Sequence, residues 1–204
     1  MPSKKVAYVT NTKVNDRYLI PSLIEQQGDE CLIFQTKTLF RSADLSDLDL
    51  IICDRAQFLL TGSEIDAIGR QCFNIHPSFL PYNRGYNPNF WSFYDNTPCG
   101  VTIHNIDPSI DTGKIISQTL MTFSDSDTLE SSYLKLRKIS IDLFVETYPI
   151  LRSGHALEMA YDNPSDLGTT HYKKDFNGMY ELMPHGWQTS VGYVRRLKKD
   201  PTST

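Results

Sequence analysis

Short apolar blocks alternate with polar, helix-compatible stretches along the first two thirds of the chain, and this rhythm sets the expected architecture. Val6-Ala7-Tyr8-Val9-Thr10, Cys31-Leu32-Ile33-Phe34, Leu48 to Cys53 and Cys72-Phe73-Asn74-Ile75-His76 read as buried strands, the last stopped by Pro77. Between them the pattern predicts a helix over 16–26, capped by Asn15 or Asp16, and a short helix over 63–69. Residues 79–87 read as a loop marked by Pro81, Asn83 and Gly85. A short helix from Pro88 to Tyr94 follows, with proline at a favourable first turn. Strands are expected over 100–106 and 115–123. The longest helix then starts with Asp127 as N-cap and Glu130 at N3. Leu129, Tyr133, Leu136, Ile139, Leu143 and Tyr148 give it an apolar face, and Gly154 ends it. Strands alternating with helices predict an α/β fold with a mostly parallel sheet flanked by helices. The core is expected over residues 1–154. Residues 155–204 turn richer in His, Tyr, Met, Pro and charge, and read as a short C-terminal extension packed on that core.

Composition narrows the class. The 204 residues carry 40% hydrophobic side chains, compatible with a packed core, and a net charge of −4. No apolar run approaches the roughly 20 residues that span a bilayer, and the start leads into a strand, not a signal peptide. No membrane partner is therefore expected. The basic cluster Arg195-Arg196-Leu197-Lys198-Lys199 reads as a solvated tail, and no nucleic-acid partner is expected. Cys31, Cys53, Cys72 and Cys99 are scattered singly, without the spacing of a zinc site. They read as free thiols in a reducing compartment, which makes the expected location cytoplasmic. No G-x-G-x-x-G follows the first strand, so a dinucleotide hydride enzyme is disfavoured.

The chemistry concentrates in Asn74-Ile75-His76-Pro77-Ser78-Phe79-Leu80-Pro81 and in Asp111-Thr112-Gly113, which begins 35 residues after His76. An amide, an imidazole and a carboxylate brought together from two loops can carry acyl transfer to an amine. The amide donates to a developing oxyanion, the imidazole moves the proton, and the carboxylate sets the tautomer and basicity of the imidazole. Taken singly, each residue has a plainer reading: a turn asparagine, a hydrogen-bonded loop histidine, a tight Asp-x-Gly turn.

Asn-x-His-Pro-Ser-x-Leu-Pro with a later Asp-x-Gly resembles the signature of the folate-dependent formyltransferase family. The likeness runs without a gap from Phe73 to Ile116 and is weaker over residues 5–70 and over Gly168 to Asp175. Arg84-Gly85 with Asn87-Pro88-Asn89-Phe90-Trp91-Ser92 looks most like the sugar branch of that family. The resemblance implies a Rossmann-like core, with N10-formyltetrahydrofolate as formyl donor and a nucleotide-linked amino sugar as acceptor. It implies Asn74, His76 and Asp111 as catalytic residues, with His76 either accepting the amine proton or, if charged, stabilising the oxyanion, and Asp111 orienting His76 and raising its pKa. Folate contacts are expected at Arg55, Phe58, Leu59, Ile106, Asp107 and Ile110, near the ends of the third and fourth strands. The alternative for Arg55 is an ion pair with Asp54. Acceptor contacts are expected at Tyr82, Arg84, Tyr86, Asn87, Trp91 and His104. Arg84 would hold a pyrophosphate and the aromatic side chains a base or sugar. His104 reads equally as a structural neighbour of the site, His171 as a feature of the extension, and no metal is expected.

Glycinamide ribonucleotide formylation is an alternative, although Thr10 to Asn15 lacks the glycine-rich loop of those relatives. Methionyl-tRNA formylation and formyl-folate hydrolysis are weaker, because they call for further domains. A non-catalytic folate- or nucleotide-binding module is the alternative from another class. Tyr161, Tyr172, Tyr180 and Trp187 either line a homodimer interface or cap the core.

Overall fold

The structure is a computed structural model that describes residues 2–11, 18–56, 58–67, 69 and 71–198. The first half runs β1 (Lys5–Val9), α1 (Leu19–Gln26), β2 (Glu30–Phe34), α2 (Lys37–Ser42), β3 (Leu50–Asp54), α3 (Gly62–Asp66) and β4 (Cys72–His76). The second half runs β5 (Arg84–Gly85), α4 (Pro88–Tyr94), β6 (Cys99–Asn105), β7 (Ile115–Met121), α5 (Leu129–Ser153), β8 (Thr170–His171) and α6 (Val191–Leu197). Short 3-10 turns fill much of the chain between α5 and α6.

The main sheet has the order β2-β1-β3-β4-β6-β7. Its first four strands are parallel, and β6 and β7 are added antiparallel. The parallel strands are continuous apolar runs because helices cover both faces. Val6, Tyr8, Leu50, Ile52, Phe73 and Ile75 pack with α1 and α5 on one face. Ala7, Val9, Ile51, Cys53 and Cys72 pack with Phe40 of α2 and Ile65 of α3 on the other. This is the expected mostly parallel, helix-flanked sheet. Among the described residues no helix is long and apolar enough to cross a membrane.

Several local expectations shift. The predicted cap of the first helix lies outside the described residues, as do Thr12 to Asn15; the helix itself begins at Leu19. The N-cap of α5 is Thr128, whose hydroxyl accepts from the Ser131 amide while Ser131 returns the bond. Asp127, one residue earlier, instead accepts from Ser131 Oγ and Lys135 Nζ on the first turns of the same helix, so the hydroxyl of Thr128 is left as the cap. The extension does more than lie on the core. β8 adds to β5 as a parallel two-stranded sheet, with Arg84 paired to Thr170 and Gly85 to His171.

Candidate active site

Side chains alternate across a strand, so Asn74 and His76 share one face of β4 while Phe73 and Ile75 enter the core on the other. Cross-strand pairing sets His104 of β6 directly opposite Asn74, on that same face. The loop after β6 leaves at Asn105 and closes on itself where the Asn105 amide donates to the Lys114 carbonyl at 2.8 Å. Its turn swings Asp111 back over Asn74 and His76.

The three predicted residues meet. Asn74 Nδ2 donates to Asp111 Oδ1 at 3.1 Å. His76 Nδ1 lies 3.6 Å from Asp111 Oδ2. The other ring nitrogen, His76 Nε2, donates to the Asn83 carbonyl at 3.0 Å. In the neutral ring this bond leaves the lone pair on Nδ1, the atom facing the carboxylate. His104 belongs to the cluster: Nε2 is 3.2 Å from Asn74 Nδ2 and 3.3 Å from Asp111 Oδ1, and Nδ1 donates to the Asn105 carbonyl at 2.8 Å.

Asp111 sits in the left-handed region at φ 51°, uncommon for a residue other than glycine. Its Oδ2 accepts the Gly85 amide at 2.8 Å. Gly85 has φ 89°, and a Cβ there would lie 2.3 Å from the His171 carbonyl oxygen, so the close approach of β8 requires glycine. Although burial opposes its charge, the neighbouring His76 and His104 and the Gly85 amide hold the Asp111 carboxyl well below the usual carboxylate range. Burial pushes the His76 pKa below the ordinary histidine value. Asp111 pulls it upward, as expected, but burial, His104 and Arg84 together outweigh that pull.

Arg84 is a correction. It is 3% exposed, and its guanidinium donates to the backbone carbonyls of Asp111, Leu167 and Pro164 and to Asn163 Oδ1. With its donors so engaged, it braces the site turn and does not present a fork to a pyrophosphate. Trp91 is 4% exposed and stacks on His171 at 3.9 Å, while His171 Nε2 donates to Asp95 at 2.7 Å. Tyr86 lies partly exposed with its ring edge on Phe176, and Tyr82 is half-buried in the same loop. Asn87 Nδ2 and Trp91 Nε1 are buried donors without a protein acceptor among the described residues. On the folate side Arg55 pairs with Asp54 at 3.3 Å. Phe58 packs on Phe40, Leu59 is exposed, and Ile106 lies against the second core cluster. Asp107 accepts from the Ser109 amide and the Thr112 hydroxyl, which shapes the turn leading to the half-buried Ile110 and to Asp111.

Sequence reasoning missed Asn83, Gly85, Asn163 and Thr169. They act through backbone groups, or as amide and hydroxyl bridges between distant segments. Thr169 Oγ1 donates to Asn83 Oδ1 and accepts the Asn83 amide, for example, and no local spacing announces such a pair.

The chain is similar to several known proteins. A dTDP-4-amino-4,6-dideoxyglucose formyltransferase of Mycobacterium bovis is 32% identical over 150 residues, covering 74% of this chain and 62% of the relative. A methionyl-tRNA formyltransferase of Listeria welshimeri is 29% identical over 72% of this chain and 49% of its own length. The chain thus spans about half to six-tenths of these curated relatives. Among solved structures, the formyltransferase PseJ from Anoxybacillus kamchatkensis was crystallised with UDP-4,6-dideoxy-4-formamido-L-AltNAc and tetrahydrofolate. It superposes with a TM-score of 0.83 at 31% identity, covering 93% of this chain and 97% of that one. The formyl transferase family model matches residues 23–148, which take in β4, the Asp111 turn and most of α5. The match over residues 23–148 and the 32% identical relative place this chain in the formyl transferase family.

Proposed function

We propose that the chain transfers the formyl group of N10-formyltetrahydrofolate to the amine of a nucleotide-linked amino sugar. The observation that carries this reading is the convergence of Asn74, His76 and Asp111 on one face of β4. Support for the acceptor class comes from PseJ, which binds a UDP-linked formamido sugar together with tetrahydrofolate and matches this chain over nearly its whole length.

The donor, when bound, supplies an activated formyl carbon. The apolar side chains assigned to its ring system are the exposed Leu59 and the half-buried Phe58, Ile106 and Ile110. Asn74 Nδ2, which in the resting site donates to Asp111 Oδ1 and faces His104 Nε2, exchanges one of these bonds for one to the formyl oxygen as charge develops there. His76 accepts the proton released by the attacking amine and passes it to the N10 nitrogen as the bond from the formyl carbon to N10 breaks and tetrahydrofolate leaves. Burial keeps the ring neutral, Asn83 fixes its tautomer, and Nδ1 is left as the basic atom. Asp111 stabilises the imidazolium that forms, from 3.6 Å away. On the acceptor side Tyr86 offers an exposed ring, and Asn87 Nδ2 and Trp91 Nε1 offer two unspent donors. Four free thiols, Cys31, Cys53, Cys72 and Cys99, suit a cytoplasmic setting. A homodimer through the exposed Tyr161, Tyr172, Tyr180 and Trp187 belongs to the same reading, and a monomer by light scattering at micromolar concentration would remove it.

The test is a mass-spectrometric transfer assay with N10-formyltetrahydrofolate and a panel of dTDP-, UDP-, GDP- and CMP-linked amino sugars, with glycinamide ribonucleotide as comparator. Formylation of one sugar acceptor, lost in Asn74→Ala and His76→Ala, is the expected result. Formylation of glycinamide ribonucleotide alone, or folate binding without any product, would overturn it.

A further inference from the structure

We propose that Asn163, in the extension after α5, is a positioning residue that holds the Asp111 turn in its working geometry. The extension is then part of the active site. Asn163 is 8% exposed, and both functions of its amide are used. Nδ2 donates to the Asp111 carbonyl at 2.9 Å and to the Gly113 carbonyl at 3.1 Å. Oδ1 accepts Arg84 Nη2 at 2.9 Å. Arg84 Nε also donates to the Asp111 carbonyl, at 3.2 Å. One side chain thus ties both ends of the Asp111–Gly113 turn to the segment that carries Gly85, whose amide holds Asp111 Oδ2.

The left-handed backbone at Asp111 needs such a hold, because an L-residue left to itself drifts from that region. No residue of the core outside the turn and β5 supplies an equivalent bridge to these two carbonyls among the described hydrogen bonds. Thr169 acts at the other end of the same layer, on Asn83, whose carbonyl fixes His76. Residues 163–169 therefore support both the carboxylate and the imidazole.

The inference rests on the proposed use of Asp111 to charge-stabilise His76, so its readout is chosen to be independent of turnover. The groups facing His76 are Asp111 from the loop after β6, His104 from β6 and Arg84 from β5. A carboxylate that drifts away raises the His76 pKa less. In full-length protein, the His76 ring titration by NMR should move to lower pH in Asn163→Ala, in the same direction as in Asp111→Asn. Combining the two substitutions should add little beyond Asp111→Asn alone. Where formyl transfer is measurable, kcat should fall roughly 10- to 100-fold, as for a displacement near 1 Å, with KM for both substrates within about threefold. Asn163→Ser keeps one donor, and should give a smaller shift of the same sign should the alanine variant fold poorly. An unmoved His76 titration in a folded variant, or a double variant in which the two shifts add, would overturn the proposal. Absence of transfer in the parent protein, with the titration shift intact, would overturn the proposed reaction and leave this inference standing.

Discussion

Replacing Gly113 by alanine tests the geometry of the site most directly. An ideal Cβ at Gly113 would lie 1.7 Å from the Asn105 carbonyl oxygen and 2.6 Å from its carbon, both backbone atoms of β6. Real Cβ atoms essentially never approach within 3.0 Å, so the turn must retreat by at least about 1.3 Å, the difference between those distances. Asp111 is two residues away and held at 2.8 Å by the Gly85 amide and at 3.1 Å by Asn74 Nδ2. A retreat of that size takes both contacts past hydrogen-bond range. Displacement near 1 Å costs on the order of 100-fold in rate, or about 2.7 kcal/mol on the barrier. Losing the Asn105–Lys114 closure adds about 1 kcal/mol of destabilisation. The assay is steady-state formyl transfer beside thermal melting, with Gly62→Ala as control. Gly62 opens α3, and a Cβ there meets nothing within 4 Å, so its kcat should not change. A Gly113→Ala protein that keeps kcat within twofold would show that the Asp111 turn is not what positions the reaction.

Other outcomes follow from the site and from the buried Asp54 cluster. Asn74→Ala should lower kcat by about 100- to 1000-fold, the loss seen when one oxyanion donor is removed, with a much smaller change in melting temperature. The pH–rate profile should rise with pH along a limb below the ordinary histidine value of 6.5 and stay flat above it, because the buried neutral His76 is the base; activity that instead declines from that limb upward would assign the charged ring. Since the folded pKa of His76 lies below its unfolded value, this group's contribution to stability is present above the unfolded value and is lost as pH falls toward the folded one. Arg137→Ala should destabilise by about 3 kcal/mol: Asp54 is 1% exposed, and of its partners Tyr8, Arg55 and Arg137 the last gives the closest ion pair, at 2.9 Å. Chemical denaturation showing a loss below about 1 kcal/mol would mean that Tyr8 and Arg55 alone satisfy the buried carboxylate.

The parts of this fold legible in the sequence are those decided locally. β1 to β4 are near-continuous apolar runs because two helical layers bury them, and α4 spans Pro88–Tyr94 as read, its proline already shaped for a first turn. What was not legible depends on partners far along the chain. β5 and β8 are two residues each, and exist because residues 163–171 return to the loop after β4. Arg84 reads in sequence as a fork for a pyrophosphate. Only the folded chain shows three carbonyls and one amide oxygen arranged around its guanidinium. The site residues fall between these cases: their motif could be read from spacing and resemblance, but the roles of His104, Asn83 and Gly85 follow from register and backbone direction.

The antiparallel pairing of β6 with β4 explains how residues 35 positions apart form one cluster. In a wholly parallel sheet, the loops after neighbouring strands leave from the same end. Here the loop after β4 leaves from one end of the pair and the loop after β6 from the other. Each folds back across the shared face, and they meet where the Gly85 amide reaches Asp111 Oδ2 and the Asn83 carbonyl takes His76 Nε2–H. The polar layer so formed is roofed by loops from opposite directions, and neither loop alone fixes its own tip. That leaves a need for a third segment to join them, and the bridge from Asn163 to the Asp111 and Gly113 carbonyls and to Arg84 meets it.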